Sequence, residues 1–117
     1  MSHTVTGKVK ITELGIMEET CERLGYKFER GCTDHRFRDG VATIRIPGWH
    51  HGVVVKADGS FVYDNYNGNW GEQKKLDRLI DEYGADVATM AAYDQGYFNI
   101  NRTVEENGDI VLEIQVD

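Results

Sequence analysis

Residues 53–64 read Val53-Val54-Val55-Lys56-Ala57-Asp58-Gly59-Ser60-Phe61-Val62-Tyr63-Asp64, with two apolar runs on either side of an Asp-Gly pair. An Asp-Gly pair in this setting is a strong signal for a two-residue hairpin turn. We therefore predict a β-hairpin in which Ala57 lies opposite Ser60 and Val53 lies opposite Asp64. Because the two strands are antiparallel, the loop before the first strand and the loop after the second lie at the same end of this hairpin.

A third strand precedes the hairpin. Residues 41–46 are rich in apolar and β-branched side chains and end at Pro47-Gly48, which breaks a strand. Closing Ile46 against Val53 gives a three-stranded meander, and the two-residue period of strands places its apolar side chains on one face. We expect this face to be core, formed by Ala42, Ile44, Ile46, Val53, Val55, Ala57 and Val62. The opposite face then carries Arg45, Lys56, Phe61 and Tyr63, and the sequence leaves open whether anything covers it.

The N-terminal part of the chain predicts a strand and a helix. Apolar and polar residues alternate over residues 3–11, which is the period of a half-buried strand. Thr12 is suited to be the N-cap of a helix over residues 13–24, and Gly25 is placed to end it. A short strand over residues 26–29 and an irregular loop then lead to the meander.

The C-terminal part predicts two helices. Apolar residues at helical spacing indicate a helix over residues 72–83, with Gly84 as its stop. A further short helix is predicted over residues 85–93, and Gly96 lies close to its end.

The chain closes with a hairpin for which two loop lengths compete. A two-residue turn at Asn107-Gly108 would place apolar residues opposite polar ones. A five-residue loop over residues 105–109 instead makes one face of both strands apolar, so we predict the longer loop. Its expected pairs are Val104 with Ile110, Ile100 with Ile114 and Phe98 with Val116.

These elements occur in the order β-α-β-β-β-β-α-α-β-β. Clustered strands with few helices favour an α+β fold with a single antiparallel, twisted sheet of about six strands and two or three helices packed on one face. A length of 117 residues fits one domain, residues 1–117.

Composition and termini predict a soluble, cytoplasmic protein. Hydrophobic residues make up 40% and charged residues 28% of the chain, which is typical of a globular protein. The first residues lack the apolar run of a signal peptide, and no stretch approaches the ~18 apolar residues of a membrane span, so we expect no membrane partner. Two cysteines are too few to staple this fold. We expect both to be thiols, with Cys21 in the core.

The net charge of -7 conceals a basic segment. Residues 23–56 hold seven basic and three acidic residues, a net charge of +4, while the rest of the chain sums to -11. Such a segment can hold a small anion locally, whereas the acidic remainder opposes long-range attraction to a nucleic-acid backbone. We therefore do not expect nucleic acid as a partner. The alternative for these basic side chains is that they only form a solvated surface.

The sequence carries few signals for metal binding or catalysis. Cys32 and His35 have the spacing of half a zinc site, but such a site needs three or four converging ligands, and no second paired motif is present. Cys32 and a histidine could act as nucleophile and base, yet there is no nucleophile elbow, phosphate loop or HExxH helix. We therefore expect a non-enzymatic protein without metal or cofactor.

Two loops rich in aromatic and amide side chains, residues 47–52 and 65–71, are expected to meet at one end of the hairpin. Aromatic faces stack on planar rings, amides read ring edges, and arginine pairs with phosphate. The predicted ligand-binding residues are Arg36, Arg45, Trp49, His50, His51, Tyr66, Asn67 and Trp70. Taken alone, each tryptophan is more simply explained as a plug of the core beside a tight turn.

Together these residues favour a small binding domain for an anionic, nucleotide-like molecule. The rival hypothesis is a protein-interaction or assembly module. In that case the same aromatic loops, an open sheet face or an edge strand would contact a protein partner or a second copy of the chain. The sequence does not separate the two hypotheses.

Several segments also resemble a known family. These are the opening Met1-Ser2-His3, Leu24-Gly25, Pro47-Gly48-Trp49, the run over residues 63–71 with Leu76-Asp77, and Gly108-Asp109-Ile110. Together they resemble the family first named as hypothetical chloroplast reading frame thirty-five, found among plastids, cyanobacteria and bacteriophages. The family is a domain of unknown function, so the resemblance implies no activity. Its phage members suggest one version of the binding hypothesis, in which the protein sequesters a host nucleotide signal in the host cytoplasm without turning it over. His50-His51 and the stretch over residues 36–38 depart from the family pattern.

Overall fold

The computed structural model describes residues 4–7 and 9–115. Its first half comprises β1 (Val5–Thr6), α1 (Leu14–Leu24), β2 (Lys27–Arg30), β3 (Ala42–Arg45), β4 (Val53–Val55) and β5 (Phe61–Tyr63). A short 3₁₀ turn (Tyr66–Gly68), α2 (Gln73–Asp94), β6 (Ile100–Val104) and β7 (Ile110–Ile114) follow. The predicted α+β class is confirmed.

The strands form two sheets. Strands β2 to β5 are a continuous antiparallel meander, and β1 joins its far edge to give the order β1-β5-β4-β3-β2. β6 and β7 form a separate two-stranded sheet and do not extend the main one. α2, which is 22 residues or roughly 33 Å long, connects the two sheets, and β7 packs against it.

The main core lies between one face of the five-stranded sheet and both helices, as predicted. Met17 and Cys21 from α1 and Leu76, Leu79 and Tyr83 from α2 are all buried there. The sheet contributes Ala42, Ile44, Val53, Val55 and Phe61.

The predicted register of the central hairpin is wrong by one residue. Val54 pairs with Val62 and Val55 with Phe61, so the loop has three residues instead of two. Gly59 adopts φ +90° and donates its N–H to the Lys56 carbonyl, which is the geometry of a type I turn followed by a left-handed residue. The Asp58 carboxylate stabilises this longer loop by accepting hydrogen bonds from the backbone and hydroxyl of Ser60.

The shift changes the face on which the β5 side chains lie. Phe61 and Tyr63 join the core cluster, whereas Val62 lies on the opposite face, the reverse of the prediction. Val53 and Val55 are buried as predicted, but Val54 on the second face is also 0% exposed. The reason is that the loop over residues 31–41, which we call the covering loop, lies over the centre of that face. A Cβ added at Gly40 would lie 2.4 Å from a Val54 methyl group.

The helix boundaries differ from prediction in two places. The two helices predicted over residues 72–83 and 85–93 form one helix, Gln73–Asp94. Its buried face continues past Gly84, and packing outweighs the ~1 kcal/mol that a helical glycine costs. Thr12 does not cap α1. The N-cap is Glu13, whose backbone N–H donates to the Tyr83 hydroxyl at 3.0 Å. Gly25 ends α1 as predicted, at φ +80°.

The closing hairpin has the predicted register, because Val104 pairs with Ile110 and Ile100 with Ile114. The Glu105 N–H also donates to the Asp109 carbonyl, which shortens the predicted five-residue loop to three residues, 106–108, as in the central hairpin. The third expected pair includes Val116, which lies outside the described residues, as do residues 3 and 8 of the predicted first strand. Only Val5–Thr6 of that first strand is assigned as strand. Neither α1 nor α2 is long and apolar enough to cross a membrane.

Candidate functional site

The two aromatic loops meet, as the hairpin geometry predicts. The backbone N–H of His50 donates to the Trp70 carbonyl at 2.8 Å. The second loop turns sharply through Tyr66 and Asn67, which both have left-handed backbones at φ +47° and +54°, before Gly68 at φ +95°. Asparagine and glycine suit this turn, whereas Tyr66 adopts it at a steric cost.

A cluster of rings surrounds Trp70, and we call Arg36, His50, His51, Tyr66 and Trp70 the Trp70 cluster. Tyr66 stacks with the Trp70 ring at a centroid distance of 4.9 Å and His50 at 6.0 Å, with interplanar angles of 27° and 30°. His51 meets the same ring edge-on at 5.5 Å. Tyr66 remains 37% exposed, so the cluster is open to solvent.

Arg36 supplies the positive charge of this cluster. Its guanidinium carbon lies 5.8 Å from the Trp70 ring centroid, within range of a cation-π interaction. The same guanidinium is ion-paired with Asp64, a carboxylate that is 0% exposed. Asp64 also accepts a hydrogen bond from the Tyr66 backbone N–H at 3.1 Å, so it joins Arg36 to the start of the second loop.

Asp34 fixes the position of the first aromatic loop, residues 47–52, through hydrogen bonds. Its carboxylate accepts hydrogen bonds from the backbone N–H of Gly52 at 2.7 Å and of Arg36 at 2.9 Å. Burial raises the pKa of Asp34, but these two bonds and the nearby His51 and Arg45 outweigh that effect and hold it below its usual value. Asp34 is therefore stabilised as a carboxylate in the folded protein.

Arg45, a predicted ligand-binding residue, lies outside the Trp70 cluster and contacts Glu29, Thr33 and Asp34. Its guanidinium donates to the Glu29 carboxylate at 2.9 Å and to the Thr33 carbonyl at 2.8 Å, and it lies 3.6 Å from Asp34. The hydrogen bonds from Arg45, the largest cause, and from Thr33 lower the pKa of Glu29. These contacts give Arg45 a role in joining β2, β3 and the loop that covers the second sheet face.

Trp49 has different neighbours from Trp70. Its ring lies against Gly71, where an added Cβ would approach it to 2.4 Å, and 5.9 Å from the Tyr63 ring. Its indole N–H donates to the Glu72 carbonyl at 3.2 Å. Trp49 thus packs on the border of the core and anchors the second loop, whereas predicted Asn67 is exposed at the tip of that loop.

Two residues of this region escaped sequence reasoning, Asp34 and Asp64. The hydrogen bond from Arg36 back to Asp34 follows the two-residue spacing of an Asx turn, which is a recognisable but common signal. The sequence carried no signal for the pair between Arg36 and Asp64, since it joins segments that only the meander brings together. Among the residues that the structure describes, no three metal-ligating side chains are grouped to hold an ion.

No family model, curated protein or solved structure shows significant similarity to this chain. The family resemblance of the quoted segments therefore stays a prediction.

Proposed function

We propose that the chain is a non-enzymatic binding domain whose Trp70 cluster holds a small anionic molecule with a planar ring, such as a nucleotide. The observation that carries this proposal is the stack of Tyr66, Trp70 and His50 with the Arg36 guanidinium at the same indole. His50 and Tyr66 are exposed and Trp70 is half-buried, so the stack offers a surface on which a further planar ring adds apolar contact. A guanidinium beside it can donate hydrogen bonds to a phosphate.

The pairing of Arg36 with Asp64 limits the strength of such a site. A guanidinium has five N–H donors, so one carboxylate leaves donors for a second acceptor. Asp64 reduces the net attraction for an anion, however, and we expect moderate affinity with a strong dependence on salt. The sequestration of a host nucleotide signal is one form of this function, and it rests on the family resemblance.

Tryptophan fluorescence gives a direct test, since the chain has only two tryptophans. In a Trp49→Phe variant, Trp70 is the only indole and reports on its own cluster. We expect nucleotides or cyclic nucleotides to quench this emission in a saturable way. Arg36→Ala should weaken binding about tenfold or more, as expected for the loss of a charge-assisted hydrogen bond.

Arg38→Ala is the matched control, because Arg38 belongs to the same segment and its replacement removes the same charge. It should leave the dissociation constant unchanged. If both substitutions weakened nucleotide binding equally, the effect of Arg36 would be one of net charge and not of a specific contact. If no nucleotide quenched the emission in a saturable way, the proposal would be wrong.

An interaction module is the second candidate, and the exposure of the closing hairpin favours it. Phe98 is 74%, Val104 60%, Val111 42% and Ile114 41% exposed. Val104 and Ile114 lie on one face of the hairpin and Val111 on the other, and exposed apolar side chains on a surface often mark contact sites. Light scattering over a range of protein concentrations tests self-association, and a monomer at every concentration would exclude a second copy as the partner.

A further inference from the structure

A groove with two adjoining parts runs along α2. One part, of about 410 Å³, lies between β1, β5 and the start of α2, and the other, of about 670 Å³, lies between α2 and β7. The two parts share Val9, Ile80 and Asp81. We call their combined surface the acidic groove.

The floor of the acidic groove is apolar. Phe61 and Leu76 are buried beneath its first part, and Ile80, Ile110 and Leu112 are half-buried along its second part. Val9 is 49% exposed where the two parts join. A ligand lying in this groove would therefore cover apolar side chains along its whole length, which favours binding.

The charges on the described side chains of the groove all have one sign. The charged side chains among its described lining residues are four carboxylates: Asp77, Asp81, Glu105 and Asp109. None of them forms an ion pair with a described lysine or arginine. Partial burial, and then the charges of Asp109, Asp77 and Glu82, raise the pKa of Asp81. Asp81 is thus repelled by neighbouring carboxylates in the free protein.

Another pair of acidic residues on α2 is neutralised within the chain. Glu82 and Asp86 each pair with Arg23 of α1 and with Arg102 of β6. The structure therefore pairs Glu82 and Asp86 with arginines, whereas Asp77 and Asp81 form no ion pair with a described residue, although Lys74 and Arg78 line an adjoining cavity with them. The missing positive charge can come from a binding partner.

We propose that the acidic groove binds a basic amphipathic segment of a partner protein, with its apolar side chains on Ile80 and Leu112 and its lysines or arginines at Asp77, Asp81 and Asp109. Charge complementarity selects this partner over an acidic one. Length selects a polypeptide over a small amine, because the lining residues extend along α2 from Gln73 to Ala88, roughly 22 Å. Grooves that bind amphipathic segments have this combination of an apolar floor and charged rim.

Fluorescence anisotropy with labelled 15-residue leucine-lysine peptides, one with helical and one with strand periodicity, tests this proposal. We expect saturable binding of one of them and no binding of the corresponding leucine-glutamate peptides. Replacing Asp77 and Asp81 together by asparagine should weaken binding about tenfold, as two exposed ion pairs would. The same variant should unfold at an equal or higher temperature, because it loses a like-charge pair one helical turn apart.

The matched control replaces Glu106 and Glu113 together by glutamine, which changes the net charge equally without altering the groove. Its dissociation constant should stay within twofold of the unmodified protein. Equal weakening in both variants, or no binding of either basic peptide, would overturn the proposal. The proposal would also be overturned if the protein formed a dimer without peptide and Ile80→Glu dissociated that dimer, because a second copy of the chain would then occupy the groove.

Discussion

Asp34 connects segments that are far apart in the sequence. It is 7% exposed, it accepts two backbone hydrogen bonds, and it faces Arg45 and His51. Its acceptor atoms satisfy the Gly52 N–H, which is itself buried. The position of the first aromatic loop therefore depends on one carboxylate of the covering loop.

Replacing Asp34 by alanine should destabilise the protein by about 1–3 kcal/mol, since it leaves a buried donor without an acceptor. The effect should depend on pH. The folded-state pKa of Asp34 lies below its ordinary value, so its contribution is complete above about pH 4 and declines as the pH falls through the folded-state pKa. Urea unfolding at pH 7 and at pH 3 measures this, and an equal difference between the two proteins at both pH values would contradict it.

Cys21 should be unreactive in the folded protein. Burial, and to a lesser extent the charge of Glu18, raises the pKa of its thiol to about 12, and the side chain is 0% exposed. In a Cys32→Ser variant, Ellman's reagent at pH 8 should release no thionitrobenzoate until denaturant is added. Rapid reaction of the native variant would show that the core between α1 and the sheet opens readily.

Glycines end one helix and continue another in this fold. Gly25 has φ +80° at the end of α1, whereas Gly84 lies within α2. An alanine side chain would meet nothing within 4 Å at either position. The two sites thus differ in backbone conformation and not in space.

Gly84→Ala should therefore stabilise the protein by about 1 kcal/mol, while Gly25→Ala should destabilise it by about 1 kcal/mol. Thermal or urea unfolding of the two variants gives the comparison directly. Destabilisation by Gly84→Ala would indicate that α2 is interrupted in solution, as its sequence first suggests.

The elements show which parts of the fold are encoded locally. The positions of β2 to β5, the end of α1 and the register of the closing hairpin follow from periodicity and glycine placement. The three-residue loop at Asp58-Gly59 does not, because the same pair suits two loop lengths and the bonds from Asp58 to Ser60 decide between them. The continuity of α2 through Gly84 is not locally encoded either, because it depends on tertiary packing.

In the candidate site, too, some features follow from local sequence and others depend on tertiary contacts. The approach of His50 to Trp70 was predictable, since any hairpin over residues 53–64 brings those two loops to one end, even with the register wrong by one. The separate environments of Trp49 and Trp70, and the burial of Asp34 and Asp64, depend on contacts across the meander and the covering loop. Single-sequence patterns do not contain these long-range contacts.

The molecule as a whole is elongated. Its radius of gyration is 15.2 Å and its longest extent is 54 Å, whereas a compact chain of this length has a radius of about 13 Å. β6 and β7 form a sheet of only two strands, which is marginally stable without packing against other elements. The apolar surface that remains exposed on this hairpin indicates that its packing on α2 is incomplete.

Amides of β6 and β7 should therefore exchange with solvent hydrogen much faster than those of β3 and β4, in which Thr43, Ile44, Val53 and Val54 are 0% exposed. Hydrogen exchange followed by mass spectrometry or NMR measures the difference, and Arg102→Ala should widen it. Equal protection of both sheets would show that the closing hairpin unfolds only with the rest of the protein.

The arginine contacts shared on α2 couple the stability of the closing hairpin to that of α1. Arg23 and Arg102 both form ion pairs with Glu82 and Asp86. Each arginine therefore lowers the electrostatic cost of burying carboxylates that also pair with the other arginine. Their energetic contributions are therefore not independent, and a double-mutant cycle should give a coupling energy different from zero. Through this coupling, any event that displaces the closing hairpin changes the strength with which α1 is held to α2, although the hairpin and α1 are separated by more than 70 residues of sequence.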